Sequence, residues 1–317
     1  MFDPRKYLVE SNNSFVVGQL RRILSSDERR VFGIRTDLLN SLSSVISRDI
    51  KAKIGVGIVL AFGFTAIFAP EIAPYDPGAQ EYSLLQPPEL LGPHPLGTDS
   101  FGRDVLSRLM YGARLSLLVG ISAVTVGAIV GCTIGLVSGY YGGVVDDLLM
   151  RVVDIAWAFP WLLIAIILVA IFGQGLWVVI FAVGFAYIDD FARLIRGEVL
   201  SIRSQDYILA AKNIGTSSRE IMTSEVFPNT VAPIIVQFTV LVARAMISEA
   251  TLSFLGLGVK PTTPTWGALL GQGRNFITEA WWISVLPGLF ILVTVLGINL
   301  FGDALRDAFD VKEQTEA

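Results

Sequence analysis

An all-α membrane protein with six transmembrane helices is the fold class this sequence predicts, and three observations predict it. Of its 317 residues 53% are hydrophobic and only 16% charged, against roughly a quarter charged in soluble domains; the mean hydropathy is +0.61. The apolar residues gather into uncharged runs of the length, roughly 20 helical residues, that a hydrocarbon core about 30 Å thick demands. Lysine and arginine crowd alternate connecting segments, which is the charge signature of membrane orientation.

Taken in chain order, residues 1–36 show no clear pattern, and no apolar core follows a basic start, so a cleavable signal peptide is not expected. Leu38, Leu39, Leu42, Val45 and Ile46 then recur at helical spacing, flanked by Asp37, Arg48 and Asp49. This predicts an amphipathic elbow lying along the membrane face and anchoring the first span. Residues 1–52 thus read as a cytoplasmic N-terminal segment with that elbow, and 53–317 as the six-helix domain. The first span is Lys53–Pro70, and the second is Leu115–Val137 within the uncharged stretch between Arg114 and Asp146. The next uncharged stretch, Ile155–Ile188, is too long for one helix and is interrupted by Phe172-Gly173-Gln174-Gly175. It reads as a hairpin of spans three and four, with Pro160 kinking the third. Val231 to about Gly256 gives the fifth span and Ile283 to about Phe301 the sixth.

The opposite segments, 71–114 and 257–282, hold only Arg103, Arg108, Arg114, Lys260 and Arg274. Apart from Arg244 in span five, all other Lys and Arg residues fall in 1–53, 138–151, 189–230 and 302–317. Both termini and the connection 189–230 are therefore expected in the cytoplasm, with 71–114 and 257–282 as outer loops. Trp266, Trp281 and Trp282 then fall near the outer boundary, where amphipathic rings commonly sit.

Composition also excludes chemistry. The lone cysteine, Cys132, lies in an apolar run and the lone histidine, His94, between two prolines, so neither a disulfide framework nor a Cys- or His-based metal centre is expected. No H-E-x-x-H stretch and no serine–histidine pair in a catalytic setting is visible, which argues against an intramembrane enzyme. A net charge of −4 with no basic surface offers nothing to nucleic acid.

The most informative polar stretch is "DYILAAKNIGTSSREIMTSEVFPN", Asp206–Asn229. Tyr207, Ile208, Ala211 and Ile214 give one apolar helical face, Ser204 or Asp206 can cap its start, and Gly215 suits the left-handed residue that ends a helix. Ser217 and Glu220 then match a capping box opening a second short helix, which Pro228 limits. Helix, glycine elbow, helix makes a compact wedge with small residues, Ala210, Ala211 and Gly215, permitting close approach. It reads either as a docking surface or as an ordinary helical connection.

This stretch resembles the "EAA" loop of ABC importer permeases: Glu-Ala-Ala, three residues, Gly, nine residues, Ile, one residue, Leu-Pro. Ala210, Ala211, Gly215 and Pro228 fall at the expected spacing, while Leu209, Glu225 and Phe227 stand where the Glu, Ile and Leu would be, with Val226 beside the Ile position. "APYDP" (73–77), "HPLGTDSFGRDVLSRLMYGAR" (94–114), "TLSFLGLGVKPTTPTWG" (251–267) and "LFGDALRDAFD" (300–310) look like the C-type subunit of dipeptide, oligopeptide and nickel importers. The resemblance implies a non-catalytic permease of a prokaryotic cell membrane. It would pair with a B-type permease, two ABC ATPase subunits that hold ATP and magnesium, and an extracytoplasmic substrate-binding protein. Asp206, Tyr207, Ala210, Ala211, Ile214, Gly215, Glu220 and Pro228 would couple the ATPases to alternating access. Peptides are the first-choice cargo; nickel chelates and oligosaccharides travel through similar permeases. A stand-alone channel or secondary transporter is the runner-up, but the internal repeat that would favour it is not seen.

Charges inside spans are costly and mark pathways or partners. Arg244 and Glu249 in span five point about 140° apart. Each is a candidate for the translocation path, although Arg244 also suits a reach to the outer boundary. Asp189 and Asp190 either sit low in span four near a cavity or mark its early end. Asp154 is expected to pair with Arg151 one turn earlier. Residues Thr98–Arg114, with Thr98-Asp99 as caps and Val105, Leu106, Leu109 and Met110 as an apolar face, read as an outer gate or receiving surface, or as an interfacial helix.

Overall fold

The computed structural model describes residues 45–47, 49–260 and 262–316, and among them every regular element is helical. Ten helices are labelled in chain order: α1 Ile50–Ile72, α2 Val105–Tyr141, α3 Gly143–Trp157, α4 Trp161–Phe172, α5 Leu176–Phe185, α6 Ile188–Arg203, α7 Asp206–Asn213, α8 Ser218–Phe254, α9 Trp266–Gly273 and α10 Trp282–Glu316. Residues Lys51–Asp303 form one compact unit. A second unit comprises Met1–Ile50 and Ala304–Ala317; the expected elbow at 38–46 lies outside the described residues save for a helical turn over 45–47.

Four helices, α1, α2, α8 and α10, are long and apolar enough to cross a membrane, and α3 with α4 makes a fifth candidate bent by 80°. The bend falls at Ala158–Pro160, where a proline lacking an amide hydrogen opens α4. The kink expected at Pro160 is thus a full break, and the helix before it begins at Gly143 rather than at Ile155. The hairpin turn over Gly173–Gly175 is present, with Gly173 at φ +80°. Its arms have only 12 and 10 residues. The second arm is extended by α6, which follows α5 after the interruption at Ala186–Tyr187.

The scaffold is organised along α2, whose 37 residues span about 55 Å at 1.5 Å per residue. Gly127, Gly131, Gly135 and Gly139 recur every fourth position and face, in turn, Gly184 and Tyr187, Ile188 and Phe191, Ala192 and Ile195, and Val199. A Cβ at Gly131 would stand 2.4 Å from the Ile188 carbonyl oxygen, so only glycine lets the backbones meet this closely. Contacts that advance together in both sequences show that α2 and the α5–α6 pair run parallel. On another face Gly120 meets Met246 and Val242 of α8, and Ser116 faces Glu249, an antiparallel order. Gly55 of α1 packs at Leu300 of α10 and Gly297 at Ile58, also antiparallel.

One end of the bundle carries a crown built from residues 73–104, the first turn of α2 and α9. Thr98 and Asp99 do not cap a helix, in contrast to the expected reading. Asp104 does, accepting from the Ser107 amide (2.8 Å) and hydroxyl (2.7 Å). Buried Asp99 instead takes the Arg103 guanidinium at 2.7 Å and lies 3.6 Å from Arg108. Both arginines also donate to Gln272 of α9. His94 bonds Asp104 at 2.9 Å and packs at a tilt against the Tyr75 and Tyr82 rings. The apolar face of Val105 and Leu109 is buried in the bundle, so this segment is the start of α2 rather than a separate interfacial helix. Trp266 and Trp282 are buried too, donating from their indole N–H groups to the Leu109 and Thr98 carbonyls. Only Trp281 of the three tryptophans expected at the boundary is exposed.

Candidate functional site

The wedge forms at the end of the molecule where α2 and α6 finish. Helix α7 starts after extended Gln205, with no side-chain cap from Ser204 or Asp206; the Ser204 hydroxyl donates to the Ser201 carbonyl and closes α6 instead. Asp206 lies in the first turn, where its charge suits the helix dipole. The other end is a complete Schellman motif. Gly215, at φ +87°, donates to the Lys212 carbonyl and Thr216 donates to the Ala211 carbonyl, both at 3.1 Å. Two residues later the Ser217 hydroxyl accepts from the Glu220 amide, forming the forward half of the expected capping box.

The second wedge helix does not stop at Pro228. It runs into the next span as the continuous helix α8, through a π-helical stretch at Ile221–Val226. Proline would clash with the carbonyl four residues back in a regular helix, and the wider turn accommodates it. The Thr223, Ser224 and Asn229 side chains donate to the carbonyls of Glu220 and Glu225 along this stretch. The π-helical stretch also settles packing. Ile221 and Val226, about 140° apart in a regular helix, are both fully buried in one cluster with Tyr140, Ile195, Val199 and Ile208.

Ile208 is therefore the pin of the wedge, with no exposed surface, and Ala211 packs partly against the same cluster. Lys212 lies over the Tyr140 ring at 5.1 Å. The expected apolar face divides: Ile208 and Ala211 point inward, whereas Tyr207 and Ile214 point outward, joined by Leu209 and Ala210. Ile214 is 83% exposed. Burial, and then the Glu225 carboxylate, raises the pKa of the Tyr207 phenol, which stays a neutral hydrogen-bonding group at physiological pH. Gly215, Glu220 and Pro228 are exposed. With apolar side chains outward, a stiff elbow and a single buried anchor, the wedge can seat itself in another protein's groove.

Further along the bundle, Asp189 and Asp190 lie in the first turn of α6, just after the α5–α6 interruption. Asp189 is 8% exposed and Asp190 half-buried. Arg244 lies on an exposed face within electrostatic range of Asp190. Glu249 is fully enclosed, accepting from Ser253 at 2.7 Å, with the Ser116 hydroxyl 3.5 Å away. It joins α2 to α8 inside the protein rather than lining an open surface. Asp154 pairs with Arg193 of α6 at 2.7 Å, not with Arg151, because α3 folds back across α6. Asp146 makes a bidentate pair with Arg196 at 2.6 and 2.7 Å on the same two helices. The glycine row of α2 and the α6 side of the wedge's seat escaped the sequence reading, although the four-residue glycine spacing was a visible signal.

Residues 131–313 match the family described as binding-protein-dependent transport system inner membrane component. A di/tripeptide transport system permease protein, DppC, of Pseudomonas aeruginosa is 44% identical over 83% of this chain and 88% of its own length. The dipeptide permease protein DppC of Alkalihalophilus pseudofirmus is 43% identical over 84% of this chain and 88% of its own. The glutathione permease protein GsiD of Escherichia coli is 46% identical over 78% of this chain and 82% of its own.

Proposed function

We infer the role of this chain from the family to which it belongs, the inner membrane components of binding-protein-dependent transport systems: it is a permease subunit of an ABC importer. We propose short peptides as its cargo. Relatives named for dipeptides, di/tripeptides and glutathione, itself a tripeptide, support that choice. The chain does no catalysis of its own in this reading. ATP and magnesium belong to two partner ATPase subunits, and a B-type permease and an external binding protein complete the importer.

Six crossings, α1, α2, α3–α4, α5–α6, α8 and α10, would leave both termini and the wedge on one side, and the Lys and Arg of 1–53 and 189–230 make that side the cytoplasm. The helix directions support this topology. Parallel α2 and α5–α6, antiparallel α8, and antiparallel α1 and α10 are the order that six alternating crossings require. Helix α7 is then the coupling helix. ATP binding draws the ATPases together, and a stiff wedge passes that motion to packed helices that switch between two arrangements.

The observation that carries the reading is the wedge's construction: Ile208 fully buried beneath outward-facing Tyr207, Leu209 and Ile214. Its test is Gly215→Val, which forces a β-branched residue into a left-handed backbone. ATP-driven dipeptide uptake by proteoliposomes holding the full importer should vanish while membrane insertion of the subunit is unchanged. Wild-type uptake by this variant would refute the coupling role.

A further inference from the structure

A cavity of about 620 Å³ lies where the two helix breaks meet. One break is Ala158–Pro160, between α3 and α4; the other is Ala186–Tyr187, between α5 and α6. Irregular backbone at membrane depth is tolerated where it lines a cavity, and its free polar groups are what such cavities offer a solute. The volume suits a small molecule. Trp157, Phe159, Trp161, Phe185 and Tyr187 wall it, and Asp189 is among its lining residues. The first turn of α4 lies at its edge, where the Leu163 and Ile164 amides donate to the Pro160 carbonyl.

Asp189 is the decisive residue. Its side chain is more than nine-tenths buried, and among the described residues no Lys, Arg or His lies within 4 Å of its carboxylate. The nearby Arg193 is engaged with Asp154 at 2.7 Å. Tyr187 donates to or accepts from Ser248 at 3.0 Å, which ties the α5–α6 break to α8. The backbone amides of Asp189 and Asp190 and the more distant Arg193 charge offset its negative charge, and none of them is a contacting cation.

We propose that this cavity is a cargo subsite in which Asp189 takes the α-ammonium group of a short peptide and the aromatic walls take its first side chain. This rests on the peptide-permease reading above and assigns its recognition to one chemical group.

The probe is the dipeptide alanyl-(4-benzoylphenylalanine), delivered by the binding protein to the assembled importer in proteoliposomes trapped with ATP and vanadate, then photolysed. Mass spectrometry should find the label on residues 157–161 or 185–189. Asp189→Asn should lower labelling about tenfold, the order of one lost charge-assisted contact, while Asp189→Glu retains it within about twofold. Label confined to other segments, with ATP-driven uptake intact, overturns the subsite and leaves the permease reading standing. Equal loss in the Asn and Glu variants overturns charge recognition in favour of a structural role. Absence of any ATP-driven peptide uptake by the wild-type importer overturns the permease reading itself.

Discussion

The crown and the wedge, at opposite ends of α2, are built on opposite rules. The crown's buried polar side chains largely satisfy one another, with Arg108 Nε left without a hydrogen-bond partner. Asp99, Arg103, Arg108 and Gln272 close one polar network, His94, Asp104 and Ser107 another, and two tryptophans pin both to the bundle. The wedge is held by one buried isoleucine and leaves large apolar side chains uncovered. The crown also exposes apolar side chains, Leu84, Leu90, Leu91 and Phe101, but they lie on loops tied down by those networks, whereas the wedge's lie on a helix held by a single anchor. On that contrast rests the proposal that the wedge is the end that seats in another subunit.

The sharpest way to break this comparison is at the crown. Asp99→Ala removes the carboxylate that faces two buried guanidinium groups, and losing one partner of a buried pair costs about 3–5 kcal/mol. Thermal unfolding of the detergent-solubilised subunit should shift strongly downward; an unchanged transition would mean that the network is solvated. Next in size is Ile208→Ala, where removing a buried isoleucine costs about 3 kcal/mol. Because the loss is local to the wedge, limited proteolysis should cut near residues 204–217 while the global transition moves little. Uniform destabilisation would show that wedge and bundle unfold as one unit. The smallest effect on the isolated subunit is expected from Ile214→Ser, which lies within about 0.5 kcal/mol for an exposed site. Association with the ATPase subunits, measured by co-purification, should nevertheless fall. A variant that keeps full association would remove Ile214 from the docking face.

Much of the wedge was legible because its signals are local. The left-handed Gly215 and the Ser217–Glu220 cap act within a few residues, and both appear in the structure. Pro228 was misread for the same reason. Local chemistry says that a proline limits a helix. The need to bury both Ile221 and Val226 beside Ile208 is non-local, and a π-helical stretch meets it without ending the helix. Asp154 and Arg151 show the same limit: adjacency along one helix suggested a pair, and a neighbouring helix supplied a better-placed arginine.

The sequence by itself determined that this protein is helical and membrane-crossing, because hydropathy and charge act additively along the chain and survive any arrangement of helices. It also determined the elbow of the wedge, whose backbone angles are set by glycine alone. Only the tertiary structure decided that the α2 glycines form a seam against α5 and α6, that Glu249 is enclosed while Arg244 is not, and that two helix breaks share one cavity. Those outcomes depend on which surfaces approach to within a few ångströms, a property of pairs of helices that no single stretch of chain contains.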